Sequence, residues 1–126
     1  MNEYLELAKK MANESNCLRV RYGCVIVKNN QILSTGWNAP LDKKAVCKKC
    51  SRIGKKHGEG YDKDCPAIHS EEWAIIHAIR NWNAEELEGA TVYISGIGMP
   101  KGAKPCWHCQ RILDAIGIKE VIMDGE

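Results

Sequence analysis

Residues 68–77 read IHSEEWAIIH, and residues 104–110 read KPCWHCQ. The side chains in these stretches are those that bind metals and move protons. Zinc takes about four ligands in a tetrahedron, and a catalytic site leaves one position for water. Cys106 and Cys109 lie three positions apart at the start of a predicted helix. That spacing puts them on neighbouring faces, where they can grip one ion. The positive end of the helix also favours their thiolate forms. His69 offers a third ligand at the start of another predicted helix. Three protein ligands with water make a catalytic zinc site, whereas four would make a structural one.

Glu71 stands two residues after His69, too close for both to follow one regular helical face. If His69 occupies the entry turn, the two side chains converge, with His69 on the metal and Glu71 toward the metal's water. Zinc lowers the pKa of such a water from about 15.7 to about 7, and an adjacent carboxylate can take the proton and deliver it elsewhere. Neither half of the pattern is specific alone. A lone Cys-x-x-Cys also serves redox chemistry or structural zinc, and a lone His-x-Glu is common on surfaces. Together, each at a helix start, with a strand between them and Pro105 before the first cysteine, they form a recognised pattern, His-x-Glu followed by Pro-Cys-x-x-Cys.

The elements that must carry these residues are legible from periodicity. EYLELAKKMANES places Tyr4, Leu7, Ala8 and Met11 at helical spacing. GCVIVKNNQILSTG reads as a hairpin around Lys28-Asn29-Asn30. Residues 39–67 show no sustained period and read as a long loop. From Ser70 to Trp82 apolar positions cover most of a helix circumference, which predicts burial. ATVYIS is a strand and GIGMPKGAK a glycine-rich connection. CWHCQRILDAIG is a helix closed by glycine, and IKEVIM is a last strand. The order α-β-β-loop-α-β-α-β predicts one mixed sheet covered by helices on both faces, in a single domain over residues 1–126.

Bulk composition narrows the function classes. No run reaches about 18 consecutive apolar residues, so no membrane span is expected. The N-terminus is charged throughout and does not read as a signal peptide. The expected location is the cytoplasm. A net charge of +2 gives no global case for nucleic acid. Seven cysteines in such a chain argue for metal thiolates over disulfides.

The pieces GCVIVKNNQILSTGWN, CPAIHSEEWAII, GATVYIS and PCWHCQRILDAIGIKEV run nearly end to end and resemble the cytidine/deoxycytidylate deaminase superfamily, with the deoxycytidylate (dCMP) branch nearest. The resemblance implies a three-layer α/β/α sandwich around a mixed central sheet. It implies zinc on His69, Cys106 and Cys109, hydroxide attack at C4 of a cytosine ring, and Glu71 as proton shuttle. Asn38 falls where the family has a substrate-contacting asparagine, and a homo-oligomer is implied. The family motif usually reads His-Ala-Glu-x-Asn-Ala, whereas here it is His69-Ser70-Glu71-Glu72-Trp73-Ala74. Trp73 replaces the asparagine and is expected to line the pocket and stack on or truncate it. The connection over residues 96–104 is longer than usual, and the chain is expected to be C-terminally short by a strand and a helix. Cys17, Cys47, Cys50 and Cys65 resemble the extra cysteines of dCMP deaminases with a second, structural zinc, with His57 as a substitute ligand.

Other residues have two readings each. Lys43 to Lys56 holds seven Lys or Arg and no acid. That run, with Arg19 and Arg21, would attract phosphate or be a solvated surface. Trp37 and Trp107 are expected in the core, His77 as a hydrogen-bonded core residue, His108 facing solvent or the pocket rim, and Cys24 as a buried thiol. The leading expectation is a zinc-dependent deaminase of a pyrimidine nucleotide or related small amine. The residues leave open a deaminase of a base in RNA or single-stranded DNA, which needs a channel for flanking nucleotides. They also leave open a non-catalytic zinc module, against which Glu71 stands.

Overall fold

The computed structural model describes residues 2–17, 20–42, 67–98 and 104–124. Helix α1 (Glu3–Ala12) starts at Asn2, whose side-chain oxygen accepts from the Tyr4 amide at 2.7 Å. Strands β1 (Arg21–Lys28) and β2 (Gln31–Trp37) form the expected antiparallel hairpin. Its two-residue tip, Asn29-Asn30, takes φ of 52° and 62°, the left-handed pair that suits strand twist and that asparagine tolerates. Helix α2 spans Ser70–Asn81, one residue short of the expected end. Trp82 leaves the helix with extended backbone, and its indole N–H donates to the Leu33 carbonyl at 3.0 Å. A short 3₁₀ turn, Ala84–Leu87, follows, which the sequence reading did not anticipate. Strand β3 (Thr91–Ile97), helix α3 (Trp107–Ile116) and strand β4 (Glu120–Met123) complete the order. Gly117, at φ 89°, closes α3 in the left-handed conformation that suits glycine.

The four strands lie in the order β2-β1-β3-β4. β1 pairs antiparallel with β2 and β3, while β4 joins β3 in parallel through the α3 crossover. β1 sits in the middle and is buried on both faces, which explains its continuous apolar run. Val25 and Val27 face α1 with Ala8, Tyr4 and Tyr93. Cys24 and Ile26 face the opposite side with Val92, Ile94, α2 residues Ala74, Ile75 and Ala78, and Leu113 of α3. The result is the expected α/β/α layering. Two glycines set the layer spacing. A Cβ on Gly23 would run into the backbone of Ala8 and Ala12 in α1. One on Gly36 would lie 2.6 Å from both the Ala74 amide nitrogen and the Ser70 carbonyl oxygen in α2. Among the described residues no helix is long and apolar enough to cross a membrane.

Candidate metal centre

Two helix starts converge on one point. His69 is the residue before α2, with extended backbone (φ −67°, ψ 155°), so its ring is freed from the helical face that carries Glu71. Cys106 plays the same part before α3 (φ −64°, ψ 158°), and its sulfur accepts from the Cys109 amide at 3.5 Å. Cys109 lies one turn into α3 and is buried, while His69 and Cys106 are half-buried. His69 Nδ1 is 2.9 Å from Cys109 Sγ and 3.5 Å from Cys106 Sγ. One ring nitrogen carries at most one hydrogen, so it cannot donate to both sulfurs. The three donor atoms lie within 4.8 Å of one another. Ligand atoms of a tetrahedral zinc stand about 3.5–3.8 Å apart, so this donor set fits zinc once the His69–Cys109 pair opens from 2.9 Å.

The entry to α2 is fastened to the end of β2. The Ala39 amide donates to the Ile68 carbonyl at 3.0 Å, and the Ile68 amide donates back to the Ala39 carbonyl at 2.7 Å. The same Ala39 carbonyl accepts from the Trp73 indole at 2.8 Å. Trp73, on α2, is buried, its ring stacked on His77 at 5.6 Å, and the His77 Nδ1–H donates to the Thr35 carbonyl. The Asn38 side chain ties down the start of β1. Its Oδ1 accepts from the Tyr22 amide and its Nδ2 donates to the Val20 carbonyl, each at 2.8 Å. Both groups retain a second hydrogen or lone pair for a further contact.

Glu71 is 7% exposed, and Ser70 Oγ donates to its Oε1 at 2.6 Å. Its negative charge acts on Cys24 of β1 and on His69 and Cys109, raising the pKa of each. Burial pushes the Cys24 thiol well up, with Glu71 adding to it. Burial alone would lower the His69 pKa. The Cys106 hydrogen bond and the charges of Glu71, Cys106 and Glu72 outweigh it and raise the pKa. The hydrogen bond from Cys109 holds the Cys106 thiol down to about 3 against the cost of burial, with His69 and the Cys109 amide assisting. Cys109 is pushed up because it donates that bond and is buried. One thiol keeps a proton so that the other can be a thiolate. A dication on both sulfurs takes over that proton's role.

The sequence reading missed two side chains. Glu72 Oε1 accepts from the His69 amide at 3.0 Å, and its Oε2 lies 3.8 Å from His108 Nε2, so it links the two helix starts. Its position three residues into the helix start was the available signal. Ser70 is the other. Trp107 corrects an expectation: it is 73% exposed, with the Arg111 guanidinium 4.0 Å over its ring, because α3 turns that position outward. His108 is exposed as expected. Arg21 is exposed at the start of β1. Cys47, Cys50, His57, Cys65, Arg19 and the basic run from Lys43 to Lys56 lie outside the described residues, as do residues 99–103 of the long connection.

An α/β/α sandwich presenting a His-Cys-Cys cluster beside a buried glutamate defines the class as a zinc-binding deaminase-type domain. The profile described as "Cytidine and deoxycytidylate deaminase zinc-binding region" matches residues 1–124. The deoxycytidylate deaminase of Mycobacterium phage D29 is 30% identical over 98% of this chain and 92% of that protein. The deoxycytidylate deaminase of Schizosaccharomyces pombe is 30% identical over 94% of this chain, which spans 35% of that longer protein. Among solved structures, the dCMP deaminase of cyanophage S-TIM5 in apo form superposes with a TM-score of 0.72 at 21% identity, covering 98% of this chain and 81% of that one. The chain belongs to the cytidine and deoxycytidylate deaminase family.

Proposed function

We propose that the protein hydrolyses the 4-amino group of a dCMP-like pyrimidine nucleotide. The carrying observation is the convergence of His69 Nδ1, Cys106 Sγ and Cys109 Sγ within 4.8 Å, with Glu71 buried two residues after His69. The substrate class draws support from the relatives named deoxycytidylate deaminase, the phage D29 protein being matched over 92% of its length. His69, Cys106 and Cys109 would hold zinc, which when bound makes water acidic near neutral pH. Glu71 accepts a proton from the attacking water as its oxygen bonds to C4. It delivers that proton to ring N3, then carries the second water proton to the amine as the C–N bond breaks. Water and the 4-amino compound thus become the 4-oxo compound and ammonia.

Asn38 and Trp73 border the substrate in this reading. Trp73, standing where the family motif has asparagine, sets selectivity among amino-pyrimidines. Cys17, Cys47, Cys50 and Cys65 hold a second, structural zinc, and the protein self-associates. The test is a deamination screen over nucleosides, nucleotides, free bases and short oligonucleotides, with Glu71→Gln as control. A nucleotide substrate is expected, and Glu71→Gln should lower turnover by about 10²–10⁴-fold while retaining zinc. Turnover by Glu71→Gln near the wild-type rate would remove Glu71 from the mechanism. A preference for oligonucleotides would shift the assignment to nucleic acid.

A further inference from the structure

Ser70 is fully buried, and its hydroxyl donates to Glu71 Oε1 at 2.6 Å. That separation is typical of an O–H bonded to a charged carboxylate, about 2.5–2.7 Å. Among the described residues Ser70 is the hydrogen-bonding partner of Glu71. The serine has little room to move, since Gly36 of β2 packs against its carbonyl so closely that an added Cβ would come within 2.6 Å. A glutamate carboxyl group otherwise rotates over a broad, nearly two-fold range at its last torsion.

We propose that Ser70 is a positioning residue for the proton carrier. Its hydroxyl fixes Oε1 of Glu71, so that Oε2 faces the reacting atoms through each proton transfer. The inference rests on Glu71 carrying the proton, as proposed above. A carboxylate displaced by about 1 Å can cost up to about 10²-fold in rate. Ser70→Ala removes one atom and adds none, so the variant should fold and bind zinc as the wild type does. Its kcat should fall about tenfold with KM unchanged, and the solvent deuterium isotope effect on kcat should rise as proton transfer becomes more limiting.

The decisive comparison is a double-mutant cycle. In a Glu71→Gln background, Ser70→Ala should cost no further activity. In zinc-free protein, the Tm losses of the two substitutions should likewise be less than additive, which reads the pair without turnover. A full Ser70→Ala loss in the Glu71→Gln background, or wild-type kcat for Ser70→Ala, would overturn the proposal while leaving Glu71 in place. High activity in Glu71→Gln itself would instead overturn the underlying reading, and the positioning role with it.

Discussion

Cys106 and Cys109 are the same residue type three positions apart, yet they hold their protons in opposite ways. Cys106 sits at the open start of α3 with a thiol donor, a backbone amide and an imidazole around its sulfur. Cys109 is 1% exposed and supplies that thiol proton. In zinc-stripped protein at pH 7, iodoacetamide should therefore modify Cys106 at least about tenfold faster than Cys109. With the Cys106 pKa held at about 3, its thiolate is already formed well below neutrality. Its rate should be flat between about pH 5 and 8, whereas an ordinary thiol of pKa about 8.5 gains roughly tenfold per unit there. Zinc should protect it. Peptide mass mapping reads both effects, and a steep pH rise at Cys106 without zinc protection would count against the site. The His69-Cys106-Cys109 cluster was legible in the sequence because coordination demands particular donor types at fixed spacings. Ser70 was not, because its role depends on a side-chain rotamer that no spacing specifies.

The elements were legible for a different reason: β1 is buried on both faces and the helices on one, so each wrote its own period into the sequence. What the periods did not reveal is how closely the layers approach. Gly36 lets the first turn of α2, which carries Ser70 and Glu71, rest directly on β2. Gly36→Ala must push that turn away. The cost should be about 1–3 kcal/mol, as for overpacking elsewhere. Because α2 begins at His69, a proposed zinc ligand, zinc affinity should fall with stability, measurable by chelator competition and by thermal unfolding. Gly89→Ala provides the contrast. A Cβ there meets nothing within 4 Å, but φ is 81°. That variant should lose stability through backbone strain and keep its zinc affinity. Equal zinc affinities for the wild type and Gly36→Ala would show that the contact does not set the site.

At the scale of the whole molecule, the start of α2 is secured by hydrogen bonds that reach back to the segments around β1 and β2. Ser15 Oγ donates to the Asn38 carbonyl at 2.8 Å and accepts from the Cys17 amide at 3.1 Å. Ala39, the next residue, is paired with Ile68. Cys17 is thus anchored to the same short segment as Ile68. Leu41 and Trp107 are large apolar side chains left 81% and 73% exposed, the kind of surface that the proposed self-association would cover. Sedimentation at micromolar concentration should give more than the 14.1 kDa of one chain, and monomer alone would exclude self-association. Metal analysis of the same preparation decides the cysteines. A closed tetrahedral thiolate site adds one ion to the catalytic one, so zinc-replete protein should hold about two per chain. Cys47→Ser with Cys50→Ser should hold about one, unfold at lower temperature, and keep His69, Cys106 and Cys109 loaded. A wild-type content of one zinc, unchanged in that double variant, would leave Cys17 and Cys65 as ordinary thiols.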